Sequence, residues 1–229
     1  MQVAKQDIIG RIRIILNEIG LNDSEFEGGA DERNLDKMVE EFALEALRFV
    51  NLNAPYELLE ADAVLTSEDE KFKTSAGVIE GTYIGEFDTV EKFLRLLCVR
   101  SSSWHKPVFE AVKEDTPAAQ MLRNKYLTGT VENPKVLVGK SPVVANLAQY
   151  ARTCIRMYCI PKTDSYVEVF YMTQPEWLES NKMRISYLAQ DAFYYYLAYL
   201  VLMAMGDARA ATMLQQALPL MGLKNTSDG

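Results

Sequence analysis

Apolar residues fall at helical spacing near both ends of this 229-residue chain and at shorter, alternating spacing in its middle. Ile8, Ile9, Ile12, Ile15, Leu16 and Ile19 define one face of a first helix, and Gly20 provides its stop. Leu21 to Asp31, with Asn22, Asp23, Gly28 and Gly29, reads as a loop whose last residue caps a second helix. Leu35, Met38, Val39, Phe42, Ala46, Phe49 and Val50 stripe that helix, with Arg33, Asp36, Lys37, Glu40, Glu41, Glu45 and Arg48 opposite. Asn53-Ala54-Pro55 ends it, because the residue before a proline disfavours helical torsions.

The texture changes near Val64. Thr66, Thr74, Val78, Ile79, Thr82, Tyr83, Ile84 and Phe87, interrupted by Gly77, Gly81 and Gly85, predict short strands and tight turns. Phe93 to Arg100 predicts a strand running into the loop Ser101 to Ser103, and Trp104 to Val112 a further strand-like run. Thr116 to Tyr126 opens with Thr-Pro, which suits a short helix with proline at its first position. Between Ala151 and Met172, Thr153, Ile155, Met157 and Cys159 alternate with Arg152, Cys154, Arg156 and Tyr158. A second run, Tyr166 to Met172, follows the five-residue segment Pro161 to Ser165, and the pair predicts a hairpin.

Helical spacing returns after Pro175, with Ile185, Leu188, Ala189, Ala192, Tyr196, Tyr199, Leu200 and Met203 on one stripe. Tyr194, Tyr195, Ala198, Val201, Leu202 and Met205 fill most of the remaining surface, so the second half of this helix is apolar all round and must be surrounded. Gly206 breaks it, Asp207 caps a last helix over Ala208 to Leu218, and a polar tail follows from Lys224. Helices, then strands, then helices predict an α+β fold: N- and C-terminal helices forming a bundle around a central small antiparallel β barrel or sandwich. The expected division is 1–60 for the N-terminal helices, 61–175 for the β-rich region, 176–223 for the C-terminal helices and 224–229 for the tail.

Composition narrows the chemistry. With 48% hydrophobic and 24% charged residues the chain is globular, and 24 basic against 32 acidic side chains (net −8) disfavour nucleic-acid affinity over the whole surface. The polar start, Met1 to Asp7, predicts no signal peptide, and the most apolar stretch, Ala192 to Met205, is short of the roughly 20 residues that cross a bilayer. Three cysteines argue against a disulfide framework and suit a reducing compartment.

His105 is the only histidine, which removes most metal sites. Ser103 and Asp115 lie near it in sequence, but no G-x-S-x-G turn is present, and a loop histidine beside Trp104 is the simpler reading. Cys154 and Cys159, at odd separation in one strand, point to opposite faces and suit small buried hydrophobes, as does Cys98. Glu40-Glu41, Asp31-Glu32 and Ser67 to Glu70 read as solvated acids. The glycines match neither a P-loop nor a dinucleotide fingerprint. No catalytic residue, cofactor or metal is expected. Charge is segregated instead: residues 1–70 carry net −11, residues 71–160 net +5 and residues 161–229 net −2, a pattern that suits head-to-tail association.

The order of these pieces resembles the head-to-tail adaptor, or tail-tubular, ring proteins of short-tailed phages, including the crAss-like group. The resemblance runs from the helix–acidic loop–helix of Ile8 to Phe49, ending in Glu-Ala-Leu-Arg-Phe-Val-Asn, through Phe93 to Val108 with its Phe-x-Arg-Leu strand and Pro-hydrophobic return. It continues through Asn124-Lys125-Tyr126, Asn133-Pro134, Phe170-Tyr171-Met172 before Pro175, the helix after Pro175 with its Leu, Ala and Tyr residues, and the short Asp207-Ala-Arg-Ala helix. The family's proline-acidic lead into the Phe-x-Arg-Leu strand is replaced here by Asp88-Thr-Val-Glu-Lys92.

That resemblance implies a non-enzymatic virion neck protein, made in the host cytoplasm and independent of membranes. It would form a homo-oligomeric ring of about twelve subunits around a DNA channel. Its partners would be other copies of itself, the portal protein, an adjacent tail or nozzle ring, and DNA passing without sequence recognition. On this reading Tyr194, Tyr195, Tyr199, Leu202 and Met205 are the candidate subunit interface. Asp36, Glu40, Glu41 and Glu45 are the candidate channel wall or seam, and Ala208, Leu214, Leu218 and Leu220 the candidate portal-docking residues. Two other readings are an intracellular enzyme using His105 and a monomeric helical binding module gripping a partner through Tyr194 to Tyr199.

Overall fold

A computed structural model describes residues 1–18, 35–140, 153–162 and 165–223. The Gly20 stop, the 21–31 loop with its Asp31 cap, and the tail from Lys224 lie outside the described residues. The chain divides into two units: Met1–Glu60 with Pro175–Gly229, and Ala61–Gln174. The class is α+β, with the N- and C-terminal helices packed on one another and antiparallel and mixed sheets in the central segment.

In the helical unit, α1 (Lys5–Glu18) buries Ile8, Ile9, Ile12, Ile15 and Leu16 on the face that the spacing predicts. Helix α2 (Leu35–Asn53) buries Leu35, Met38, Val39, Ala43, Ala46, Leu47 and Val50. Phe42 and Phe49 sit half-buried at the edge of this stripe, and the Phe49 ring stacks on Tyr196 at 4.1 Å between centroids.

The stretch after Pro175 does not enter a helix at once, contrary to the spacing. A short strand β1 (Gln2–Ala4) pairs antiparallel with Lys182–Arg184, the last strand of the chain, and Ile185 N–H bonds the Met1 carbonyl at 2.9 Å. A turn of 3-10 helix over Tyr187–Ala189 follows, leaving Leu188 exposed rather than on the buried stripe. The helix proper, the fourth in chain order, begins at Gln190 and runs to Met205. It buries nine residues, from Ala192 to Leu202, on nearly every side, as a helix with a single charged residue requires. Gly206 then adopts φ +74°, its N–H bonding Met203 and that of Asp207 bonding Leu202 at 3.0 Å, the Schellman pattern that satisfies a helix end. The last helix is Ala210–Leu220; Asp207 precedes it, its carboxylate accepting from the Arg209 backbone N–H at 2.8 Å and from the Arg209 guanidinium.

The central unit is a sandwich of two sheets and not a closed barrel. Its strands are β2 (Ala63–Thr66), β3 (Phe72–Ala76), β4 (Tyr83–Val90), β5 (Phe93–Ser101), β6 (Val112–Lys113), β7 (Lys135–Lys140), β8 (Thr153–Ile160) and β9 (Val167–Thr173). The strand after them, β10, is the Lys182–Arg184 partner of β1. One sheet has the order β2-β9-β5, the other β3-β4-β8-β7-β6, with β6 parallel to β7. Phe87, Val136, Ile155, Met157 and Ile160 of the larger sheet share one core with Leu96, Val99, Val167, Val169 and Tyr171 of the smaller.

Three expectations change here. The runs around Pro161 to Ser165 are strands β8 and β9, but they do not form a hairpin: β8 pairs with β4 and β7, while β9 pairs with β2 and β5. Both strands bury residues along most of their length, and each takes an interior place in a different sheet. Trp104 to Val112 is not a strand; it makes one isolated bridge, Val108 to Val99, before the two-residue β6. The helix expected over Thr116 to Tyr126 is confined to α3 (Pro117–Met121), with proline at its start. The two C-terminal helices are accordingly α4 (Gln190–Met205) and α5 (Ala210–Leu220).

The packing makes two stability predictions. Phe193→Ala, at a fully buried position of α4, lowers stability by about 3–5 kcal/mol in urea unfolding followed by circular dichroism. Gly206→Ala costs about 1–2 kcal/mol through its left-handed φ alone, since nothing lies within 4 Å of the added carbon.

Candidate functional site

The four acidic candidates of α2 divide between two sides of the helix. Asp36 accepts from Arg13 Nη2 at 3.0 Å and Glu40 from Lys5 Nζ at 2.8 Å, so both carboxylates tie α2 to α1. Glu41 and Glu45, one turn apart, are exposed. Asp31 and Glu32 lie outside the described residues.

Of the α4 candidates, Tyr194 and Leu202 are buried within their own unit, Tyr195 and Tyr199 are half-buried, and Met205 is exposed. Burial raises the Tyr194 phenol above its ordinary range, and its oxygen accepts from Gln190 Nε2 at 3.2 Å. Tyr199 Oη donates to Met203 Sδ at 3.2 Å, and Met203 is itself 52% exposed. On α5 the buried face is Ala210, Met213 and Ala217, whereas Leu214 and Leu218 are half-buried and Leu220 is exposed; Ala208, just before the helix, is exposed as well.

The residues of the Ser/His/Asp possibility are not gathered into one hydrogen-bonded set. Ser103 Oγ pairs with Ser165 Oγ at 2.5 Å, the exposed His105 is anchored by its backbone N–H on the Val131 carbonyl at 3.2 Å, and Asp115 is exposed before α3. Among the described residues no group of three or more His, Cys, Asp or Glu could hold a metal ion, and no helix is long and apolar enough to cross a membrane. The glycines serve the backbone. Gly81 takes φ +79° in the β3–β4 turn, and a side-chain carbon at Gly85 would meet Ile160 Cδ1 at 2.6 Å.

All three cysteines are free and buried. Cys154 lies on the outer face of the larger sheet beside Arg156 and, across the strand pair, Glu86. Its thiol donates to Glu86 Oε1 at 3.0 Å, and the same carboxylate bonds Arg156 Nε at 3.1 Å. Burial, with the Glu86 bond second, pushes the thiol up to about 12, the reverse of what a nucleophilic cysteine needs. Cys159 breaks the alternation expected of its strand. It stands in a β-bulge between the Tyr83–Ile160 and Gly85–Met157 pairs at φ +62°, so Ile160 enters the core and the thiol turns to the Gly129 carbonyl at 2.9 Å. Trp104 Nε1 bonds the Cys159 carbonyl at 3.2 Å and holds this bulge.

One feature is not singled out by hydropathy spacing. After α3, the acid-free run Met121 to Leu127 displays Tyr126 at 80% exposure with Met121 and Leu127 at about half, while Arg123 and Lys125 are exposed between them. Lys125 Nζ stands over the Tyr126 ring at 4.9 Å from its centroid, and Asn124 Oδ1 fixes the Tyr126 N–H at 3.0 Å. The signal is a run of cations and large apolar residues in a turn, where periodicity says nothing about exposure.

Counted by unit, the charge balance shifts from the segment totals. The helical unit holds 10 basic and 18 acidic side chains, net −8, and the sandwich 14 of each, net zero, because Asp62, Glu68 to Glu70, Asp164 and Glu168 offset the basic stretch. The cationic character of the sandwich is therefore local.

The thiols generate a prediction with a definite sign. A Cys154 proton retained in the folded chain up to about pH 12 but lost from the unfolded chain near its ordinary 9.0 means the unfolded state binds fewer protons across that window. Stability is thus fully present below pH 9 and falls as pH rises from about 9 toward 12. Cys154→Ala flattens that fall in pH-dependent urea unfolding, and an unchanged slope contradicts the assignment. Compared with known proteins, the chain matches no protein-family model and no curated protein.

Proposed function

We propose that this chain is a structural, non-enzymatic subunit of a bacteriophage neck. About twelve copies would form a ring that links the capsid portal to the tail and lines the DNA channel. The observation that carries the reading is the separation of unlike surfaces in one chain: all the net negative charge on a helical unit, and a cationic, apolar corner on a neutral sandwich. Two different surfaces on one subunit favour head-to-tail contacts, which close into rings when the rotation per subunit allows. The order of elements along the chain, as it resembles the ring adaptors, supplies the biological setting.

The parts take roles on this proposal. Exposed Glu41 and Glu45 supply the negative side of a seam between copies. Leu214 and Leu218, half-buried one turn apart on α5, and the exposed Leu220 at its end offer apolar contacts to the portal. Tyr199 and Met205 at the less covered end of α4 serve the contact between copies.

Light scattering on the purified protein, alone and mixed with its portal, tests the proposal. The expected species has about twelve times the 25.9 kDa chain mass in at least one of the two conditions. A monomer that stays monomeric with the portal present overturns it.

A further inference from the structure

On the helical unit the seam between α2 and α4 leaves an acidic, aromatic rim. Phe49 stacks on Tyr196, Tyr196 lies 5.4 Å from Tyr199 between ring centroids, and Tyr199 reaches Met203. Glu45, exposed, stands one turn before Phe49 on α2, on the same side of the helix as this stack. Glu41 stands one turn further along the same exposed side of α2. The rim thus presents two carboxylates next to half-buried rings and an exposed methionine.

The Met121 to Leu127 corner of the sandwich is the chemical counterpart. It offers two cations, Arg123 and Lys125, set among Met121, Tyr126 and Leu127 with no acid in the run. A solvated surface has no need of an 80% exposed tyrosine flanked by two half-exposed apolar side chains, and such groups concentrate where another surface covers them.

We propose that the Met121–Leu127 corner of one copy docks on the α2–α4 rim of a second copy, with Arg123 and Lys125 facing Glu41 and Glu45 and Tyr126 seated against Phe49 and Met203. The contact joins two different patches, so it is heterologous and leaves the pair one free corner and one free rim. This deepens the ring reading by naming the surfaces that join its subunits. Tyr126 and the cations supply a centre of the kind that dominates interface energetics, and the opposed charges fix register and speed encounter.

Charge exchange tests it, because all four substituted residues are exposed and the variants keep their fold, which unchanged thermal unfolding verifies. R123E/K125E and E41K/E45K are each weighed by sedimentation and light scattering, separately, mixed, and combined in one chain. The proposal expects wild type to form species larger than a monomer and each double variant to dissociate at least tenfold more readily. The equimolar mixture and the four-substitution chain recover assembly, and high salt weakens all of these species. If wild type assembles and neither reversal changes its mass, the docking is overturned while the ring reading stands. If wild type is a monomer alone at every concentration, the docking is overturned. If it is also a monomer with the portal, the ring reading falls as well.

Discussion

A helix with no polar face constrains everything around it. From Ala192 to Met205, α4 has no charged side chain, and it buries residues on nearly every side. Such a helix is stable only when other helices cover it, and α1, α2 and α5 do so from both ends of the chain. Bringing residues 1–60 back to residues 175–223 makes the central segment an insertion, which leaves the helical unit after Glu60 and returns at Pro175. The short β1–β10 pairing follows from the same closure: it joins the first residues of the chain to the segment that leads into α4.

The sandwich has its own logic. Its two sheets bury one shared core, so each interior strand needs a neighbour on both sides, and β8 and β9 each occupy such a place. The bulge at Cys159 swings Ile160 into the core at the end of β8, just before the link that carries the chain to the other sheet. The outer face of the larger sheet carries what the core excludes, the Glu86–Arg156 pair with the Cys154 proton between burial and carboxylate. That arrangement quenches a thiol instead of activating one.

Much of this was legible from residue order, and the failures are instructive. The α2 stripe, the Gly206 stop and the strand identity of Thr153 to Ile160 and Val167 to Thr173 all follow from local periodicity and backbone preference, which the structure shares. Pairing does not follow from periodicity: two adjacent strands with buried faces satisfy a hairpin and a crossover equally, and only the rest of the sheet decides. Residues Trp104 to Val112 have β-prone side chains but are held by one bridge, the His105 N–H and the Trp104 indole and not by a strand ladder, so propensity overstates them. For the candidate surface, Glu41 and Glu45 stand open as the helical pattern implies, whereas Asp36 and Glu40 find α1 cations that no single-helix pattern reveals. The Met121 to Leu127 corner escapes notice because exposure in a turn is set by what covers it, not by spacing.

A ring of this kind needs one chain to carry two unlike surfaces that join copies in a single rotational sense. Electron microscopy of the purified protein, with its portal added where needed, reads this directly. The expected particles are closed rings with a central opening and every subunit related to the next by the same rotation. Two-fold dimers in which like surfaces meet, or particles of single-chain size throughout, would contradict it.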